Sequence, residues 1–314
     1  MKLGMVGLGR MGGNMSARLE RHGHEVVGYD RDPATSEVAD LAGLVAALGE
    51  GPRAVWVMVP SGAPTDDVIT TLEPLLAPGD VLVDGGNSNF RDSIRHGEQL
   101  AASGIGFIDA GVSGGIWGLE EGYALMVGGA PEHVALLQPA FDALAPDGGG
   151  FAHVGGVGAG HFTKMVHNGI EYGLMQSYAE GYELLAASEL DIDAREALGA
   201  WQQGSVVRSW LLDLLVLGLD ADPGLTSVRG HASDSGEGRW TVNEAVRLAV
   251  PLPVISAALF ARFSSRQEDS PSMKVIATLR NQFGGHSTEA ADRRPAEAAA
   301  PDAQALGEGK VEPS

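Results

Sequence analysis

Lys2-Leu3-Gly4-Met5-Val6-Gly7-Leu8-Gly9-Arg10-Met11-Gly12 reads as an apolar strand that runs into a glycine-rich turn and opens a helix. In a Gly-x-Gly-x-x-Gly turn the first glycine permits the tight bend, the second lets a pyrophosphate approach the backbone, and the third lets the helix pack on the strand. The helix N-terminus then offers its unpaired N–H groups to the phosphates. A chain with 45 glycines matches so short a pattern by chance, so its context decides. A second strand pattern, residues 25–30, ends in Asp30, 18 positions after Gly12, close to the spacing of about 20 at which a carboxylate meets the adenosine ribose. Dinucleotide binding is therefore expected at Gly7, Leu8, Gly9, Arg10, Met11, Gly12, Asp30 and Arg31, with Val59, Pro60 and Ser61 at the next strand end and Asn87 beyond it. Asp30 repels a 2′-phosphate and favours NAD over NADP, whereas Arg31 beside it can stack on adenine or pair with that phosphate.

Working outward, strand patterns alternate with helical ones at residues 2–7, 25–30, 54–59, 80–84, 106–109, 123–127 and 151–154. Such alternation predicts βαβ units and a mostly parallel, doubly wound sheet of Rossmann type. After Gly155-Gly156-Val157-Gly158-Ala159-Gly160 the texture changes to long amphipathic patterns, among them residues 162–189, 194–217, 240–250 and 254–262. The expectation is an α/β dinucleotide-binding domain over residues 1–158 and an all-helical substrate and dimerisation domain over 159–286. Residues 287–314 hold Ala, Glu, Asp and Pro with almost nothing large and apolar, and are expected to form a disordered tail.

Composition removes other classes. The net charge is -20, with 41 acidic against 21 basic residues, the opposite of what a nucleic-acid surface attracts. There is no cysteine, hence no disulfide, thiolate metal site or cysteine nucleophile, and the histidines show no metal-ligand spacing, so no metal is expected. The longest apolar stretches fall short of the roughly 20 residues a spanning helix needs. No secretory pattern is read at the start, and a cytoplasmic protein without membrane partners is expected.

Two segments sit at predicted strand ends, where doubly wound folds hold ligands: Asp84-Gly85-Gly86-Asn87-Ser88-Asn89, and Asp109-Ala110-Gly111-Val112-Ser113-Gly114-Gly115. Each offers close backbone approach beside an Asn or Ser able to bond hydroxyls or a carboxylate, though either could be an ordinary turn. The most informative stretch is Lys164-Met165-Val166-His167-Asn168-Gly169-Ile170-Glu171-Tyr172. On a helix Lys164, His167, Asn168 and Glu171 share one face, with the lysine and the glutamate roughly 10 Å apart along the axis. A lysine and a carboxylate at two points along one substrate suit two successive proton transfers, provided that burial lowers the first pKa and raises the second.

These segments, followed by Gly236-Glu237-Gly238-Arg239-Trp240-Thr241, Phe260-Ala261-Arg262-Phe263-Ser264-Ser265 and Arg280-Asn281-Gln282-Phe283-Gly284-Gly285-His286, resemble the decarboxylating 6-phosphogluconate dehydrogenases in motif and order. The resemblance covers residues 1–286 and is closest to the short form. It implies that Lys164 is the base for the 3-hydroxyl of 6-phosphogluconate and that Glu171 is the acid that protonates the enediol after CO₂ leaves. His167 and Asn168 would assist at the same place. Asn87, Ser113, Gly114, Gly115, His167 and Asn168 would hold the carboxylate and hydroxyls. Tyr172, Arg262, Arg280 and His286 would hold the phosphate, the last two from a second copy in a homodimer or homotetramer. Ser235 stands where long-form members carry a phosphate-site lysine, and Asp30-Arg31-Asp32 replaces a sequence common in NADP-dependent members. A non-decarboxylating 3-hydroxyacid dehydrogenase and a non-catalytic dinucleotide binder are the competing readings. Only four of the 21 basic residues are lysines, and one of them stands where the chemistry needs a cation that can lose its proton.

Overall fold

The computed structural model describes residues 1–284 and 287–288. The first half reads β1 (Lys2–Val6), α1 (Arg10–Arg21), β2 (Glu25–Tyr29), α2 (Leu41–Ala47), β3 (Ala54–Val57), α3 (Ala63–Leu72), β4 (Val81–Asp84) and α4 (Phe90–Ala102). It continues with β5 (Gly106–Ser113), α5 (Gly118–Glu121), β6 (Ala124–Gly129), α6 (Pro131–Leu144) and β7 (Phe151–Gly155). The helices α7 (Ala159–Ala186), α8 (Ala194–Trp201), α9 (Trp210–Ala221), α10 (Glu237–Leu248) and α11 (Pro253–Ser265) follow. These belong to one compact unit, Met1–Arg266. A second unit starts at Gln267 and contributes one further described helix, α12 (Pro271–Gly284).

All seven strands form one sheet in the order β2-β1-β3-β4-β5-β6-β7, parallel except between β5 and β6. Alternate residues of each strand feed opposite faces, as the two-residue side-chain period requires. Leu3, Met5, Trp56, Val83 and Ile108 pack with Met15 and Leu19 of α1 and Leu137 and Phe141 of α6. On the other face Val6, Val55, Val57 and Leu82 pack with Leu44 of α2, Ile69 and Leu72 of α3 and Leu100 of α4. Burial on both faces explains why the strands are near-continuous apolar runs. The doubly wound, Rossmann-type architecture with a helical C-terminal part is the one the sequence predicts.

Two local readings change. The strand predicted at 106–109 runs on to Ser113, because Ala110–Ser113 pair in antiparallel register with Ala124–Val127 of β6. The motif read as a turn is therefore mostly strand, and only Gly114 and Gly115 lie past its end. The helical pattern at 194–217 splits into α8 and α9. Gly204 turns at φ +71°, and Ser209 restarts the helix by accepting from Leu212 N at 3.1 Å, an N-cap that satisfies an otherwise orphaned donor.

Strand order reverses between β1 and β3, which leave the centre of the sheet in opposite directions. A crevice opens outside the carboxyl ends of strands at such a switch point. Here it is a cleft of about 1360 Å³ bounded by the turns after β1, β3, β4 and β5 and by one face of α7.

Candidate active site

The turn after β1 is built as its glycines require. Gly7 adopts φ +94°, a left-handed conformation costly to any residue with a β-carbon, and such a carbon would stand 2.5 Å from the Met58 carbonyl oxygen. A β-carbon on Gly12 would stand 1.9 Å from the Gly7 carbonyl oxygen, whereas nothing lies within 4 Å of one on Gly9. Gly9 caps α1 without a side-chain acceptor, and no acidic residue occupies the first turn. The helix therefore presents its first N–H groups to open space, which fits a dinucleotide pyrophosphate.

Asp30 follows β2 and is half-buried. Its Oδ2 accepts from Leu8 N at 2.7 Å and its Oδ1 from Asp32 N at 2.9 Å. These N–H groups, Asp32's first, hold its carboxyl below the usual carboxylate range. Arg31 beside it is exposed. Gly9, Arg10, Met11, Gly12, Val59, Pro60, Ser61 and Asn87 all line the cleft, while Gly7, Leu8, Asp30 and Arg31 are not part of that lining.

The opposite wall is α7, set by a buried carboxylate. Asp109 Oδ1 accepts from Gly158 N and Oδ2 from His161 N, both at 2.7 Å, so a β5 side chain caps the start of the helix and complements its dipole. Small residues bring helix and sheet together. A β-carbon on Gly160 would stand 2.2 Å from the Asp109 carbonyl oxygen. Lys164 consequently lies against the end of β5 and is only 7 % exposed. Burial pushes its pKa below the ordinary lysine value, a fall opposed by the nearby carboxylates of Glu171 and Glu237. A lysine so placed loses its proton more readily than one in water.

Lys164, His167, Asn168 and Glu171 share the cleft with Ser113, Gly114, Gly115 and Asn87. His167 Nδ1 lies 2.9 Å from Asn168 Oδ1, and its Nε2 is 3.4 Å from Ser113 Oγ. Asn168 Nδ2 donates to Glu237 Oε1 at 2.9 Å. Glu171 is half-buried one turn beyond Asn168.

Tyr172 and Arg262 come together beside this wall and outside the cleft lining. The Arg262 guanidinium stands 3.5 Å over the Tyr172 ring, and its Nη1 donates to the Ser233 carbonyl at 3.1 Å. The Tyr172 hydroxyl accepts from Ser235 N at 3.1 Å. Arg239 and Arg266 are instead paired with Asp234, at 2.7 and 3.0 Å. Arg280 is exposed on α12, and His286 lies outside the described residues.

Reading the sequence for site residues misses Glu237, a buried carboxylate quoted only as a motif letter, and the apolar lining by Ile116, Trp117, Trp210, Leu211 and Leu214. Glu237 had one legible signal, an acidic residue between two glycines at a helix start. Among the described residues no cluster suited to a metal ion is found, and no helix is long and apolar enough to cross a membrane.

Residues 2–156 match the family model for the NAD binding domain of 6-phosphogluconate dehydrogenase, and residues 160–300 match that for the 6-phosphogluconate dehydrogenase C-terminal domain. The chain is 42% identical over 302 residues to the NAD(+)-dependent, decarboxylating 6-phosphogluconate dehydrogenase of Haloferax volcanii, covering 93% of this chain and 100% of that protein. The Plasmodium falciparum 6-phosphogluconate dehydrogenase, whose structures include complexes with its cofactor NADP+ and its substrate 6-phosphogluconate, superposes with a TM-score of 0.77 at 25% identity, over 94% of this chain and 67% of that one. The 3-hydroxyisobutyrate dehydrogenase of Mycobacterium tuberculosis shares the fold with a TM-score of 0.66 at 24% identity, over 89% of this chain and 99% of that one. With both halves matched in order and a relative aligned along its whole length, the chain belongs to the 6-phosphogluconate dehydrogenase family.

Proposed function

We propose that this protein oxidatively decarboxylates 6-phosphogluconate to ribulose 5-phosphate and CO₂, using NAD in preference to NADP. The observation that carries the reading is a buried lysine with a lowered pKa in the same cleft as Glu171 and the uncapped turn at Gly9. A binding protein needs neither proton-transfer group.

When bound, the dinucleotide takes up the hydride that leaves C3 of the substrate. The residues of the chain do the remainder. Gly9, Arg10, Met11 and Gly12 hold the pyrophosphate, Val59, Pro60, Ser61 and Asn87 border the nicotinamide side, and Gly7 and Leu8 shape the turn. Asp30 accepts hydrogen bonds from the ribose hydroxyls, and its charge repels a 2′-phosphate. Neutral Lys164 takes the proton of the 3-hydroxyl as the C3–H bond breaks. Protonated Lys164 then returns that proton to the 3-ketone oxygen while the C1–C2 bond breaks, CO₂ leaves and the bond's electron pair forms the enediol. Glu171 donates a proton to the former C2, which becomes C1 of the product, as Lys164 takes back the proton of the adjacent enediol hydroxyl to give the pentulose ketone. Asn87, Ser113, Gly114, Gly115, His167 and Asn168 hold the carboxylate and hydroxyls in line with these groups.

Tyr172 and Arg262 bind the phosphate, with Arg280 and His286 contributed by a second copy in a homodimer or homotetramer. The order of the motifs supports this part of the reading, as does the Arg262 guanidinium seated over the Tyr172 ring. Division at residue 158 into cofactor and substrate domains, and action in the cytoplasm, belong to the same proposal. Lys164→Met tests it: turnover is expected to vanish while NAD binding persists, and near-normal turnover would refute the assignment.

A further inference from the structure

We propose that Glu237 is a positioning residue of this site: its buried carboxylate orients the Asn168 amide, and through it His167, so that the imidazole offers an unprotonated Nε2 to the substrate. The inference rests on the reading of the cleft as a hydroxyacid-oxidising site.

Donor and acceptor chemistry carries the chain of reasoning. A carboxylate only accepts hydrogen bonds, so the contact of 2.9 Å to Glu237 Oε1 must come from the Asn168 amide nitrogen. The amide oxygen therefore faces His167 Nδ1 at 2.9 Å, and it too only accepts. Nδ1 must carry the hydrogen, which leaves Nε2 of the neutral ring as an acceptor. Ser113 Oγ, 3.4 Å away, is the donor already facing that nitrogen. Replacing the carboxylate by a group that cannot accept frees the amide to flip, and the tautomer with it.

The contact is built rather than incidental. Glu237 opens α10 and is 2 % exposed. It reaches Asn168 because α7 and α10 touch through small residues: a β-carbon on Gly238 would stand 2.5 Å from Tyr172 Cε2, and one on Gly169 would stand 2.8 Å from Thr241 Cγ2. Thr241 Oγ1 lies between the Met165 carbonyl of α7 at 2.9 Å and the Glu237 carbonyl of its own helix at 2.8 Å, sharing its hydrogen across the contact of the two helices. The second carboxylate oxygen accepts from Ser235 Oγ. Ser235, at the position of the long-form lysine, thus serves the carboxylate. A buried charge left without partners is strongly unfavourable, and one of the two partners here, Asn168, lines the cleft.

Glu237 also acts on Lys164 by charge. Burial lowers the lysine's pKa, and the charges that oppose that fall are Glu171 on its own helix and Glu237 on α10. Other charges on the packed elements are engaged elsewhere: Asp109 of β5 by two backbone N–H groups, Glu244 of α10 by Arg91 and Arg247, and Arg262 of α11 over Tyr172. His153 of β7 faces the carbonyls of Gly129 and Gly155.

The test pairs a spectrum that needs no substrate with a rate profile. Side-chain ¹⁵N spectra of histidine-labelled protein, with His167 identified by its loss in His167→Gln, are expected to show the Nδ1–H tautomer in the wild type. Glu237→Ala is expected to mix the tautomers and lower kcat/KM by about ten- to hundredfold. Glu237→Gln, which keeps an acceptor but loses the charge, is expected to retain the tautomer and to move the acidic limb of the kcat/KM–pH profile to lower pH. An Nε2–H tautomer in the wild type overturns the proposal even if Glu237→Ala does not fold. So does a folded Glu237→Ala with an unchanged tautomer and rate. Failure of the wild type to turn over 6-phosphogluconate would instead sink the functional reading, leaving the tautomer result to decide the role of Glu237.

Discussion

Gly111 and Lys164 pack so closely that a β-carbon on Gly111 would stand 2.5 Å from the β-carbon of Lys164. Neither atom can swing aside by a rotamer change, so any larger residue at 111 must push α7 away from β5. Misplacing a catalytic group by about 1 Å costs on the order of a hundredfold in rate. Gly111→Ala is therefore expected to fold, to bind NAD, and to lose about two orders of magnitude in kcat. Circular dichroism with steady-state rates checks this, and a wild-type kcat would show that α7 tolerates the shift.

Burial outweighs two attracting carboxylates at Lys164, since its pKa falls despite Glu171 and Glu237. The folded state then binds fewer protons than the unfolded chain between the depressed pKa and 10.5, the ordinary value. Stability rises with pH through that window and levels off above it. Lys164→Met is expected to melt above the wild type near neutrality, with the gap closing as pH approaches 10.5. A gap that widens with pH would contradict the sign.

The same lowered pKa orders the rate profile. A base must be neutral to act, so kcat/KM is expected to climb as pH rises through the Lys164 pKa, below the ordinary lysine range. Lys164→Arg, which stays charged, is expected to be inactive at every pH, and a variant with restored activity at high pH would contradict the base assignment.

Asp30 ties the cofactor turn to its own charge by accepting from Leu8 N. Asp30→Asn keeps an acceptor for that N–H and removes the repulsion of a 2′-phosphate. The ratio of kcat/KM for NADP over NAD is expected to rise by about tenfold or more. An unchanged ratio would place cofactor choice elsewhere, with Arg31 the next residue to replace.

Arg262 stacks on Tyr172 with a planar guanidinium, a geometry that lysine cannot copy. Arg262→Lys is expected to raise KM for 6-phosphogluconate by about ten- to hundredfold with little change in kcat. Equal loss in both would assign the arginine to the chemical step.

What could be read in advance follows the range of the interactions. The turn at Gly7 to Gly12 is local, and its geometry is dictated by three glycines and a strand. The shared face of Lys164, His167, Asn168 and Glu171 follows from helical periodicity alone. The end of β5 was not legible, because Ala110 and Gly111 carry no strand preference and become strand only by pairing with β6. Glu237 stayed hidden because its partner Asn168 is 69 residues away, and only the approach of α10 to α7 brings them together. The resemblance implies that Arg262 and Tyr172 share one site, but the stacking of the guanidinium on the ring comes only from the approach of α11 to α7.

Purified protein supplied with 6-phosphogluconate and NAD, with NADH and CO₂ followed together, is expected to release CO₂ in equal amount to NADH formed. NADH without CO₂ would identify a hydroxyacid dehydrogenase that stops at the keto acid, and would contradict the proposed decarboxylation.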